Sequence, residues 1–190
     1  MEINQKNIII LLLLVFTFVS CNLKVNNKSD FKELVNKYRN KKFITIIPDS
    51  VFYNKEYIAF DQTNLSNNSN LKIITYIDGR CHECIKSFKQ WKNLIKIAQK
   101  NINFNILFYV KTNNVNEFKK YYYPKSLHNY PIIIVENNNI LKKNNLTDFD
   151  DPKTFLLDKN NKIILIGNPL HGDKLMKLYK QEINKRLEKN

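Results

Sequence analysis

The chain has 190 residues, of which 43% are hydrophobic, and a formal charge of +14. That length supports one domain of ordinary size with its own core, and three cysteines are too few for a disulfide-held scaffold. The charge does not mark a nucleic-acid binder, because the lysines are spread along every predicted helix and form a basic solvated surface, with no basic patch set into a recognisable nucleic-acid motif.

The first segment stands apart from the fold. Lys6 supplies a weak positive start, Ile8 to Val19 form an apolar run, and Val19-Ser20-Cys21 closes it. The run is shorter than the roughly 20 residues that a spanning helix needs. Small residues just before a cysteine resemble the lipobox of bacterial lipoproteins. The resemblance implies a signal peptide over residues 1–20, cleavage before Cys21 and lipid on that cysteine, in preference to a signal anchor or a buried helix. Lipidation would hold the chain on a membrane in the bacterial cell envelope, with the domain facing the periplasm or the outside. A basic surface beside such an anchor adds weak attraction to anionic lipid.

Residues 21–42 read as a polar tether and a short helix. Ser29-Asp30 can cap that helix, and Phe31, Leu34, Val35 and Tyr38 give it an apolar side. The domain proper runs over 43–190. Phe43 to Ile47 reads as a strand, Pro48-Asp49-Ser50 as a turn, and Val51 to Tyr53 with Tyr57 to Phe60 as a hairpin. Residues 61–70, DQTNLSNNSN, form a linker.

The next stretch organises everything else. Ile73 to Ile77 is a β-branched apolar run that Asp78-Gly79 breaks. Ile85, Phe88, Trp91, Leu94, Ile95 and Ala98 then recur at three- and four-residue spacing between lysines, which predicts an amphipathic helix. Phe104 to Val110 is strand-like, so residues 71–110 make a βαβ unit with a right-handed crossover. Asn114 followed by Glu117 reads as a capping box for a helix through Val115, Phe118 and Tyr122 that Pro124 stops. Pro131 to Val135 is a short buried strand, and Lys142 to Asp151 a polar loop. Thr154 to Leu157, the turn Asp158 to Asn161 and Lys162 to Ile166 make a second hairpin. Leu175, Leu178, Tyr179, Ile183 and Leu187 line one side of a terminal helix.

Cys81-His82-Glu83-Cys84 sits where the first strand of the βαβ unit hands over to its helix. Unpaired N–H groups and the macrodipole at a helix start favour an anion, so a cysteine there is more readily the thiolate that attacks disulfides. Cys84 lies one turn on and can close a disulfide back onto Cys81. Cys81 attacks and Cys84 resolves.

The order of elements resembles a thioredoxin-like fold, and the chain looks like a member of the TlpA-like branch of thiol-disulfide oxidoreductases. The resemblance implies an α/β, three-layer fold with a mixed central sheet and an N-terminal β-hairpin extension. It makes Cys81 the exposed nucleophile and Cys84 the buried resolving thiol. Pro152-Lys153-Thr154-Phe155-Leu156-Leu157-Asp158 is similar to the family's Pro-Thr-Thr-Phe-Leu-Ile-Asp, so Pro152 would be the cis-proline against the disulfide. Asp151 would then turn its backbone polar groups toward an extended substrate. The implied partners are protein thiols and disulfides and a redox partner protein. No diffusible cofactor is implied, since the Cys81–Cys84 pair itself carries the electrons.

Three positions differ from that family. Arg80 stands where Trp is usual, and its charge should favour the Cys81 thiolate; Glu83 opposes it, and His82 helps only when protonated. No proline precedes Cys84. Thr75 falls near the place of a buried carboxylate, which leaves the acid-base partner of Cys84 unassigned.

Other uses of the pair stay open. The cysteines could be an inert staple, or the fold could bind a partner protein or Cu(I) through Cys81, Cys84 and His128 or His171. A zinc site lacks a second CxxC or paired histidines. Haem attachment would need a histidine where Ile85 stands. No metal is therefore assigned.

Overall fold

In a computed structural model, the structure describes residues 33, 35–54, 56–63, 65, 69–123, 130–146 and 153–187. The chain divides into two compact units, Met1–Asn36 and Lys37–Asn190, and the sheet and its helices belong to the second. The predicted signal segment, Cys21, Pro124, His128, Asp151 and Pro152 lie outside the described residues. Among the described residues no helix is long and apolar enough to cross a membrane.

Among the described residues five strands form one mixed sheet, in the order Ile133–Val135, Phe104–Lys111, Leu71–Asp78, Thr154–Asp158, Ile163–Ile166. The central strands are β3 (Leu71–Asp78) and β4 (Phe104–Lys111), paired in parallel from Leu71↔Phe104 to Asp78↔Lys111. Their burial explains their composition. Apart from its last residue each is buried along its whole length, which favours apolar residues on both faces in place of alternation, with Lys72, Thr75 and Asn105 as buried polar exceptions. β5 (Ile133–Val135) joins β4 in parallel. β6 (Thr154–Asp158) and β7 (Ile163–Ile166) complete the sheet antiparallel, as the predicted hairpin requires, with a register shift between Leu156 and Leu157.

β5 is too short to cover β4. Its pairing begins at Tyr109, so Ile106 would be left with an open N–H and C=O. The buried Tyr130 hydroxyl accepts from that N–H and donates to that carbonyl, both at 2.9 Å. Burial pushes the Tyr130 phenol up, which keeps the hydroxyl proton in place for the second bond.

The N-terminal hairpin is β1 (Ser50–Tyr53) and β2 (Glu56–Ala59). It docks on the edge of the sheet through Phe52, whose N–H and C=O exchange hydrogen bonds of 2.8 and 2.9 Å with Ile132. The strand expected over Phe43 to Ile47 does not form. A single bridge, Lys42↔Lys162, stands in its place, flanked by Phe43 N–H to Asn161 C=O at 2.8 Å. Tyr109 reaches across to donate to the Ile46 carbonyl at 2.9 Å, so this stretch is held by side chains rather than by a ladder.

The helix after β3 is broken in type though unbroken in path. α1 (His82–Ser87) passes into a 3₁₀ turn, Phe88–Trp91, and then into α2 (Lys92–Gln99). Ser87 Oγ donates to the Cys84 carbonyl at 2.6 Å, a back-bond of the kind that bends helices. Residues three apart eclipse in a 3₁₀ turn, so Phe88 and Trp91 both fall on one ring. That ring is Phe108 of β4, met edge-on at 5.2 and 5.3 Å. On the opposite face, set by the Ile74↔Phe155 register, Tyr38 and Phe43 pack on Phe155. Helical elements, sheet and covering segment make three layers, an α/β architecture.

α3 (Val115–Glu117) starts where expected, with Asn114 Oδ1 accepting the Glu117 N–H at 3.0 Å, and continues as a π-type turn over Phe118–Tyr122. The predicted loop from Lys142 is shorter than expected, because α4 (Asn139–Lys143) occupies its start and buries Ile140 and Leu141. α5 (Asp173–Leu187) buries Tyr179 and Ile183, and the Tyr179 hydroxyl donates to the Gly167 carbonyl at 2.8 Å.

Candidate active site

The site forms at the carboxyl end of β3, where the chain must leave a buried strand and start a helix within three residues. Gly79 makes that possible. Its N–H donates to the Lys111 carbonyl at 2.8 Å, and a Cβ there would lie 2.8 Å from the same oxygen and 3.0 Å from Val110 Cγ1. Only a residue without a side chain lets the turn lie this close to β4.

Cys81 follows as the N-cap of α1, in extended conformation, with its N–H on the Asp78 carbonyl at 3.2 Å. Its carbonyl accepts the Ile85 N–H at 3.0 Å, and its Sγ accepts the Cys84 N–H at 3.2 Å. A sulfur thus takes the place that a serine or aspartate oxygen usually holds at a helix start. Cys81 and Cys84 are joined as a disulfide with Cα atoms 5.2 Å apart. Both are partly exposed, whereas Ile85 beyond them is buried. The pair therefore lies near the surface, and Cys84 is not the buried thiol that the resemblance implies.

Arg80 and Glu83 are each paired with an oppositely charged side chain. Arg80 grips Asp78 at two points, Nε to Oδ1 at 3.0 Å and Nη2 to Oδ2 at 2.8 Å, and its own N–H donates to Oδ1 at 3.0 Å. Hydrogen bonding to Arg80 outweighs partial burial and holds the Asp78 carboxyl below its ordinary range. Glu83 accepts from Lys86 Nζ at 2.8 Å, which lowers its carboxyl in the same way. His82 is exposed between the cysteines. Arg80, His82 and Glu83 thus neighbour the cysteines in the chain, and Arg80 and Glu83 are engaged with partners of their own.

β6 begins directly beside the end of β3. Lys153 carbonyl accepts the Tyr76 N–H at 2.8 Å, and the buried hydroxyls of Thr75 and Thr154 meet at 2.8 Å. Thr75 sits on the face that carries Phe108, and it finds an uncharged partner there in place of a carboxylate. Asp151 and Pro152 precede Lys153 in the chain and lie outside the described residues.

The fold matches known structures. The thioredoxin domain of a thiol-disulfide oxidoreductase from Bacteroides vulgatus aligns with TM-score 0.51 at 13% identity, over 74% of this chain and 100% of that one. The chain has a thioredoxin-like fold. A thiol-disulfide oxidoreductase from Bacteroides fragilis aligns with TM-score 0.54 at 17% identity, over 74% and 98% of the two chains. An exposed lipoprotein thioredoxin from Streptococcus pneumoniae aligns with TM-score 0.50 at 13% identity, over 70% and 97%. No family model matches the chain, and no curated protein matches it.

Among the described residues no three His, Cys, Asp or Glu side chains gather closely enough to hold a metal ion. His171 is exposed on the Pro169–His171 turn of this thioredoxin-like fold, 3.4 Å from Asn168 Nδ2. Sequence reasoning missed the Arg80 to Asp78 pair. Its signal was the i, i+2 spacing across a glycine turn, which lets a long side chain fold back on the carboxylate that ends the strand.

Proposed function

We propose that this chain is a thiol-disulfide oxidoreductase whose redox centre is Cys81 and Cys84. The observation that carries the reading is the partly exposed disulfide at the start of α1, with the Cys84 amide directed at Cys81 Sγ. In the reduced chain the Cys81 thiolate attacks one sulfur of a substrate disulfide. A mixed disulfide forms, and the departing substrate thiolate takes a proton from solvent. Cys84 then loses its proton, attacks Cys81 Sγ and releases the second substrate thiol, so two electrons pass to the substrate and the Cys81–Cys84 disulfide remains. A redox partner protein with a dithiol restores the starting state, and no diffusible cofactor enters the cycle.

Asp151 and Pro152 are the proposed substrate contacts, because they lead into Lys153, whose carbonyl is already tied to Tyr76 at the end of β3. The proposed setting is the bacterial envelope, with lipid on Cys21 and the domain facing the periplasm or the outside. The apolar run Ile8 to Val19 ahead of Cys21 supports that setting. So does the likeness to a lipoprotein thioredoxin.

The test is insulin reduction followed by turbidity. The parent chain accelerates it, Cys81→Ser abolishes the acceleration, and Cys84→Ser accumulates a mixed disulfide visible on a non-reducing gel. Acceleration that survives Cys81→Ser would overturn the assignment. A glutathione titration then gives direction: a potential near about −270 mV marks a reductant and one near about −120 mV an oxidant.

A further inference from the structure

We propose that Asp78 is a positioning residue for Cys81: by folding Arg80 back on itself, its carboxylate fixes the turn that delivers the sulfur and removes the arginine's charge from the thiolate. This rests on the exchange chemistry assigned to Cys81 above. An unpaired Arg80, one residue before the nucleophile, would lower the energy of the thiolate and make the disulfide a stronger oxidant. Instead the guanidinium is held at two points, and a third bond from the Arg80 N–H ties the backbone to the same carboxylate. The Cys81 N–H lies on the Asp78 carbonyl, so one residue sets both the arginine and the start of the helix.

The other charges around the pair do not take over its part. Lys111, on β4, is register partner to Asp78 and acts on the carboxylate in the same sense as Arg80. Tyr76 lies on the face of β3 that also carries Asp78, and Glu117 of α3 shares a cleft with Arg80 and Gly79. On α1, Glu83 is occupied by Lys86, and His82 is exposed. The thiolate is thereby left to the backbone amide of Cys84, while two opposite charges stand in balance beside it. Changing one of them tilts the site, and changing both restores it.

The experiment follows iodoacetamide alkylation of the reduced full-length chain between pH 5 and 9, with Cys21→Ser in every protein and the label located on Cys81 by peptide mass. Arg80→Gln leaves the carboxylate in excess and slows alkylation at pH 6 by about threefold; Asp78→Asn frees the guanidinium and speeds it by about the same factor. Asp78→Asn with Arg80→Gln returns to the parent profile, and Arg80→Lys, which keeps the charge, stays close to it. Single variants that move the profile in the same direction, or leave it unmoved, overturn the proposal. Should Asp78→Asn fail to fold, Arg80→Gln alone decides, since its slowing is required. A parent chain that does not exchange with glutathione would sink the oxidoreductase reading, while the alkylation series would still decide whether the two charges balance beside Cys81.

Discussion

The middle of the sheet and its rim are built on different terms. In the middle, Phe108 is buried and met by Phe88, Trp91 and Tyr130 at ring separations of 5.2, 5.3 and 5.7 Å, contacts drawn from separate parts of the chain. At the rim, almost every bond around Cys81 links residues two or three apart: Arg80 to Asp78, Cys84 to Cys81, Lys86 to Glu83. Long-range apolar contacts carry the stability, and short-range polar ones set the chemistry. A site arranged this way can be retuned by single substitutions with little cost to the fold.

The sharpest way to break that division is at its centre. Phe108→Ala removes the ring on which the helical turn rests and costs about 3–5 kcal/mol in urea unfolding. While folded, the variant still forms the Cys81–Cys84 disulfide, because nothing in the local bonds at the rim passes through Phe108. Loss of the disulfide in folded protein would show that the two regions are not separate.

A smaller effect is expected where the regions meet. The Thr75 and Thr154 hydroxyls are buried against one another at 2.8 Å, on the strands that lead up to the turn. Thr75→Val leaves Thr154 without that partner and costs about 1–3 kcal/mol by the same measurement, whereas the double change to valine costs less than the single one. A double variant less stable than Thr75→Val alone would place a different partner in this pocket.

How much of this could be seen in the residues follows the same line. β3, β4 and β6 were legible because burial on both faces leaves mostly apolar runs, β7 because its own run Ile163–Ile166 follows a turn, and the cysteine pair because its spacing bears directly on helix geometry. The three-layer order was implied by the resemblance to the thioredoxin-like family that those elements carry. Phe43 to Ile47 misled, since Phe43 buries against Phe155 without any strand to pair with. α4 escaped because Asn137 to Asn145 is mostly polar, and Asn144 stabilises the stretch through bonds to the Ile140 and Ile44 carbonyls that no periodicity encodes. The rim was legible only by residue type. Arg80 reads as a free charge next to a nucleophile, and the fold-back onto Asp78 depends on a turn whose shape is set by Gly79 against Lys111.

Asn114 offers a control on the rim itself. It caps α3 through the Glu117 N–H and lies well away from α1 in the chain, so Asn114→Ala costs about 1 kcal/mol and leaves Cys81 alkylation unchanged. A changed alkylation profile would mean that α3 is coupled to the Gly79–Arg80 turn through the cleft that they share.

The smallest effect on stability belongs to a residue whose change is expected to alter reactivity. The Asp78 carboxyl is held below its ordinary value by Arg80, so its contribution to stability is present above the unfolded-state value and fades as pH falls through the lower, folded one. Parent protein should therefore lose stability below about pH 4 slightly more steeply than Asp78→Asn, which has no such proton to take up. The side chains of Arg80 and Asp78 are 57% and 37% exposed. Solvent screening of a pair so exposed keeps the difference at neutral pH under about 1 kcal/mol. If unfolding at pH 3 and pH 7 instead showed Asp78→Asn to be as damaging as Thr75→Val, the clamp would be a structural strut, and the rim could not be adjusted independently of the core.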